Sequence, residues 1–145
     1  MKKILYILIV AISFSCSEDE NFDAENIADI EAYLLENNLN AQKTGSDLYY
    51  IISNSGNGNS PTFNSTVTVG YNGYFLDGTS FDSSESATFN LQQVVPGFSE
   101  GIRLLKPGGS GTFILPSKIA YGTRGSGTIQ PGDIIVFDIT LQRIN

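Results

Sequence analysis

The sequence predicts an α+β fold: about five antiparallel strands in a sheet wrapped around one short helix, preceded by an N-terminal amphipathic helix. Three observations lead there. Fourteen of the 15 glycines lie at or beyond Gly56, so the body of the chain is turn-rich, with short apolar runs between the turns. Two of those runs alternate as half-buried strands do, with Val67, Val69 and Tyr71 on one face and Ile135, Phe137, Ile139 and Leu141 on another. Phe98, Ile102 and Leu105 fall on one helical stripe, the only such stripe in the body, and a sheet with an apolar face needs a cover. A chain of 145 residues makes one domain the default.

The elements follow in order. Residues 1–15, MKKILYILIVAISFS, hold two lysines, an apolar run from Ile4 to Ile12 and small residues ahead of Cys16. That is a secretory signal, too short to span a bilayer comfortably, and it stands outside the fold. Residues 16–46 form an acidic tether and a helical arm. Ile27, Ile30 and Leu34 sit at helical spacing within 25–39, with acidic residues early, which predicts one amphipathic helix docked on the domain. One helix of this length dimerises weakly by itself, so a monomer is expected. Residues 41–46 read as a polar linker. The domain proper is 47–145. Strands are expected at 48–52 and 66–75, with a hairpin turn at Asp77-Gly78 and a return at 79–83. A short strand at 89–91 leads to Val94-Val95. Pro96-Gly97 opens the Phe98 helix, and the Gly-Gly after Pro107 stops it. Further strands are expected at 111–116 and 134–144, separated by a Gly-rich loop over 117–132.

Composition removes several function classes. Without Lys2 and Lys3, six basic residues face 15 acidic ones, so no basic patch exists for nucleic acid. Histidine is absent and Cys16 is the only cysteine, which leaves no metal constellation and no disulfide within one chain. The glycines of 122–127 lack the Lys-Ser and following helix of a phosphate loop. No cofactor is called for.

Three segments then come in a telling order: YNGYFLDGTSFDSS from Tyr71, VVPGFSEGIRLLKPGG from Val94, and LPSKIAYGTRGSGTIQPGDIIVFD from Leu115. Together they resemble the FKBP-type peptidyl-prolyl cis-trans isomerases, over about 47–145. The resemblance implies an isomerase that acts on proline-containing polypeptides through an aromatic apolar pocket, assists folding of exported proteins at the cell envelope, and needs no metal or nucleophile. It implies catalytic roles for Tyr71, Asp82, Tyr121 and Phe137. It implies substrate contacts from Phe81, Phe89, Val94, Val95, Phe98 and Ile129. Phe98 would form the floor, where the family most often has a tryptophan. Tyr121 would donate its hydroxyl to a substrate carbonyl, and the Val95 N–H would hold the next one. Asp82 would be the charged group at the rim.

Plainer readings of the same residues stand beside these. Aromatics at alternate strand positions are ordinary core. Asp82 before two serines caps turns, and a tyrosine such as Tyr121 is often satisfied by backbone. A pocket of this kind also serves a binding module that recognises proline segments or unfolded chains without turnover. The N-terminal segment carries its own resemblance: a lone cysteine closing an export signal is similar to a bacterial lipoprotein attachment site. That implies lipidation of Cys16 and an extracytoplasmic, lipid-anchored protein at the outer membrane. The acidic SEDE after it is similar to the surface-sorting signal of Bacteroidota lipoproteins.

Overall fold

The computed structural model describes residues 21–145. The expected signal 1–15, Cys16 with its expected lipid, and residues 17–20 lie outside the described residues. The chain forms helix α1 (Asp23–Glu36), strands β1 (Gln42–Lys43), β2 (Tyr49–Asn54), β3 (Thr66–Phe75) and β4 (Ser80–Asn90), helix α2 (Pro96–Ile102), strand β5 (Ser110–Leu115), a 3-10 turn (Ser117–Ile119) and strand β6 (Ile135–Ile144). The strands make one antiparallel sheet in the order β1-β2-β5-β6-β3-β4. This is the expected α+β arrangement, with six strands where about five were anticipated.

Helix α2 covers one face. Pro96 fills its first turn, where a missing N–H costs nothing. The helix ends at Ile102, short of the expected stop after Pro107. Phe98 and Ile102 on it, with Leu105 just beyond its end, meet Val67, Val69, Phe113, Leu115, Ile135, Phe137, Ile139 and Leu141, so the strand alternation points inward as the sequence predicts. The helix lies close to the sheet because two of its residues have no side chain. A Cβ at Gly97 would sit 2.5 Å from Leu115, and one at Gly101 would sit 2.7 Å from Phe113.

Helix α1 covers the other face. Ile30, fully buried, joins Tyr49, Ile114, Ile134 and Val136 in a second cluster. The unbroken apolar run Ile134–Phe137 is thereby explained: this part of the sheet is buried on both sides. The arm begins two residues earlier and ends three residues sooner than the 25–39 expected. Asn38 takes a φ of 52°, and the Leu39 N–H turns back to the Leu34 carbonyl at 2.8 Å, a left-handed cap that closes the helix. No described helix is long and apolar enough to cross a membrane.

Two expectations need correction. Residues 41–46 are more than a linker: Gln42 and Lys43 pair with Tyr50 and Tyr49 as a short edge strand, closed by a turn with Asp47 at a φ of 64°. The segments 79–83 and 89–91 are one strand, β4, which runs through the polar stretch between them. Both β1 and β4 are sheet edges wetted by solvent, so neither carries a continuous apolar alternation. The hairpin at Asp77-Gly78 forms as expected, with Gly78 at a φ of 89°.

Candidate functional site

At one end of the α2 side of the sheet lies a cavity of about 330 Å³, lined by Tyr71, Asp82, Phe89, Gln93, Val94, Val95, Phe98, Tyr121 and Phe137. Six places in the chain supply it. Tyr71 comes from β3, Asp82 and Phe89 from β4, Phe137 from β6 and Phe98 from α2, while the connections before α2 and after β5 add the rest. The adjacent strands bring Asp82 and Phe137 together, since both pair in register with Gly73. Gly73 is required for this. A Cβ there would fall 2.6 Å from the Phe81 ring and 2.8 Å from the Phe137 ring.

Phe98 is the hub. Its ring centroid is 4.8 Å from Phe137, 5.5 Å from Phe89 and 5.9 Å from Tyr71, all near edge-to-face. That geometry sets electropositive ring edges against electronegative faces and holds the rings rigidly. Phe98 is 4% exposed, so it forms the bottom of the cavity. The size falls within the usual range of small-ligand pockets.

Polar groups are few. The Tyr71 hydroxyl donates to Asp82 Oδ2 at 2.7 Å. Burial chiefly, then this bond and the Asp82 charge, push the Tyr71 hydroxyl up to about 12, so it keeps its proton and its donor role at neutral pH. The hydroxyls of Tyr49, Tyr50 and Tyr74 are also engaged, with Glu31, Gln42 and Asp138. That of Tyr121 has no such partner among the described residues. Val95, extended at φ −58° and ψ 148°, accepts at its carbonyl from the Phe98 and Ser99 N–H groups, and its own N–H makes no hydrogen bond among the described residues. The cavity therefore offers two free donors over an aromatic floor. A single carboxylate among the lining residues provides no chelating set for a metal.

Most of the residues expected at a site come together here. Phe81 and Ile129 stand differently. Phe81 lies behind Phe137, at 5.7 Å, and against Phe75, so it supports the wall. Ile129, 6% exposed, is packed in the core cluster. Gln93 lines the cavity without having been anticipated; its only sequence signal is its place directly ahead of Val94-Val95. A larger hollow of about 540 Å³ lies elsewhere, between the start of α1, the Asp77 turn and residues 128–134. Four carboxylates (Glu25, Asp29, Asp77 and Asp133) border it, and it lacks the aromatic enclosure, so size does not choose the site.

Known proteins resemble this chain in sequence and in fold. The chain is 46% identical over 121 residues to the probable FKBP-type peptidyl-prolyl cis-trans isomerase FkpA of Neisseria meningitidis, covering 79% of this chain and 44% of that one. It is 39% identical over 127 residues to the outer membrane protein MIP of Legionella longbeachae, covering 81% and 53%. The chain thus spans about half the length of these curated relatives. Among solved structures, FkpA from Escherichia coli superposes with a TM-score of 0.76 at 32% identity, over 84% of this chain and 60% of the other. A peptidyl-prolyl cis-trans isomerase from Pseudomonas syringae gives 0.73 at 25% identity, over 84% and 95%. The family model described as FKBP-type peptidyl-prolyl cis-trans isomerase matches residues 58–142, and the chain belongs to that family.

Proposed function

We propose that this protein catalyses cis-trans isomerisation of X–Pro bonds in polypeptides outside the cytoplasm, anchored by lipid at Cys16 to the outer membrane. The observation that carries the reading is the aromatic cavity, floored by Phe98, with two unengaged donors beside it. The chemistry follows from the amide. Rotation about X–Pro breaks resonance against a barrier of about 18–20 kcal/mol. The planar amide is charge-separated and well solvated by water; the twisted one is less so. A dry aromatic cavity therefore favours the twisted form over the planar one. A preference of roughly 6 kcal/mol gives about 10⁴-fold acceleration. In this scheme the proline ring sits on Phe98 between Phe89 and Phe137. The Tyr121 hydroxyl and the Val95 N–H hold the flanking carbonyls. Asp82 fixes the Tyr71 ring through its hydroxyl and is the one charge at the rim.

The location rests on the export signal, on the single cysteine behind it and on the relative named as an outer membrane protein. Assistance to the folding of exported proteins follows from such a location. A monomer is supported by α1, whose Ile30 is used against its own sheet. The test is the refolding of a protein whose slow phase is proline-limited. An isomerase accelerates that phase, in EDTA as well as without it, and the folded variants Asp82→Ala and Phe137→Ala do so less. A binding module leaves the phase unchanged or slows it, and that outcome would replace the catalytic reading.

A further inference from the structure

One side chain of the N-terminal arm grips the loop that carries Tyr121 at both of its ends. Asn26 lies on α1 and is 3% exposed. Its Oδ1 accepts from the Ser117 N–H at 2.7 Å, and its Nδ2 donates to the Gly132 carbonyl at 3.0 Å. Those two residues bound the Gly-rich loop. Inside it, the Ser117 carbonyl accepts from Ala120 and Gly122 at 2.9 and 2.8 Å, the two chain neighbours of Tyr121. Gly132 in turn donates to the Gly122 carbonyl at 2.9 Å. Phe22 adds a lid to the junction, since a Cβ at Gly132 would come within 2.6 Å of its ring.

The loop needs such a grip. Gly122, Gly125, Gly127 and Gly132 all take positive φ, between 56° and 80°. Glycines lose the most conformational freedom on ordering, so this loop is costly to hold in one shape. A buried amide whose acceptor and donor are both used fixes the loop ends with little slack.

We propose that Asn26 is a positioning residue of the isomerase site: it keeps the 117–132 loop closed so that Tyr121 stands at the cavity wall. The arm is then a working part of the site rather than a spacer between lipid and domain. The proposal rests on the isomerase reading. It makes a specific kinetic statement. Without Asn26 the closed loop becomes a minority state, and apparent affinity falls by the closed fraction. If that fraction is about a tenth, KM rises about ten-fold. Saturating substrate pulls the loop shut again, so kcat stays within about two-fold.

The experiment uses the full chain in detergent, carrying 3-fluorotyrosine, with Asn26→Ala and the isosteric Asn26→Asp. The aspartate keeps the acceptor for Ser117 and sets a second acceptor against the Gly132 carbonyl. Glu31→Gln, elsewhere on α1, is the control. X–Pro exchange in a peptide is followed by NMR for KM and kcat. The Tyr121 fluorine signal is identified by its loss in Tyr121→Phe. Expected are a raised KM with kcat nearly unchanged, a broadened or shifted Tyr121 signal, and an unmoved signal from Tyr49, whose hydroxyl reaches Glu31 on the arm. Folded variants with wild-type KM and an unmoved Tyr121 signal overturn the proposal. So does a loss in kcat at unchanged KM. If the wild type itself gives no acceleration, the isomerase reading fails, and the Tyr121 signal alone decides whether Asn26 holds the loop.

Discussion

Tyr71 and Asp82 act as one unit, because the phenol donates to the carboxylate at 2.7 Å beside the Phe98 ring. Asp82 is exposed, so the bond is screened and worth ~1 kcal/mol, which predicts about a five-fold loss of kcat/KM in Asp82→Ala. The same pair gives a stability signature. Folding raises the Tyr71 hydroxyl from 10.0 to about 12, so the folded state holds this proton more tightly than the unfolded chain. Its stabilisation is complete below pH 10 and is lost as pH rises through about 12. Urea midpoints should fall across that window, and fall less in Tyr71→Phe. Phe98 supplies the next test. An indole in its place adds ~40 Å² of contact, worth roughly 1 kcal/mol or about five-fold in affinity for a macrolide inhibitor. Phe98→Trp also introduces the only tryptophan, whose emission should respond to ligand. Solvent-like emission indifferent to ligand would mean that the ring does not face the cavity. The aromatic part of the site was legible through the resemblance its motifs carry, since rings at strand and helix spacing by themselves read as core. Gln93 and Asn26 were not. A polar side chain shows its role only through tertiary partners, and those of Asn26 are 91 and 106 residues away.

Elements were legible wherever one face is dry. Strands β3 and β6 and the segment of α2 through Leu105 each place an apolar set on the buried side, and the predicted sets match the core. The hairpin at Asp77-Gly78 was legible for a different reason, the local preference of glycine for positive φ. Strand β1 and the middle of β4 were not, because an edge strand with polar residues on both faces looks like loop. Helix α2 carries one feature that composition hides. Ser99 is 2% exposed, and its hydroxyl has no hydrogen-bond partner among the described residues. A buried donor left unmade destabilises the fold, and alanine is the better helix former. Ser99→Ala should therefore raise stability by about 1 kcal/mol in urea unfolding, with kcat/KM unchanged. A destabilised variant would mean that the hydroxyl has a use in the folded protein.

At the scale of the molecule, the sheet is shared between two covers with different duties. Helix α2 builds the cavity floor, and α1 closes the opposite face while its Asn26 reaches the Tyr121 loop. The position of the arm ties the site to the tether. Only five residues separate Cys16 from Phe22, where the described fold begins to touch its own body at Gly132. An extended chain gains at most ~3.6 Å per residue, so a lipid at Cys16 would hold the arm within about 20 Å of the bilayer surface. The chain is acidic overall, which works against adhesion to anionic headgroups, so the proposed lipid would be the main attachment. Cys16→Ala should then abolish incorporation of labelled palmitate and move the protein from the membrane to the soluble fraction. It should leave X–Pro exchange by the released protein at the wild-type rate, because the residues that line the cavity all lie within 71–137. A variant that stays membrane-bound and labelled would remove the lipoprotein reading while leaving the isomerase site untouched.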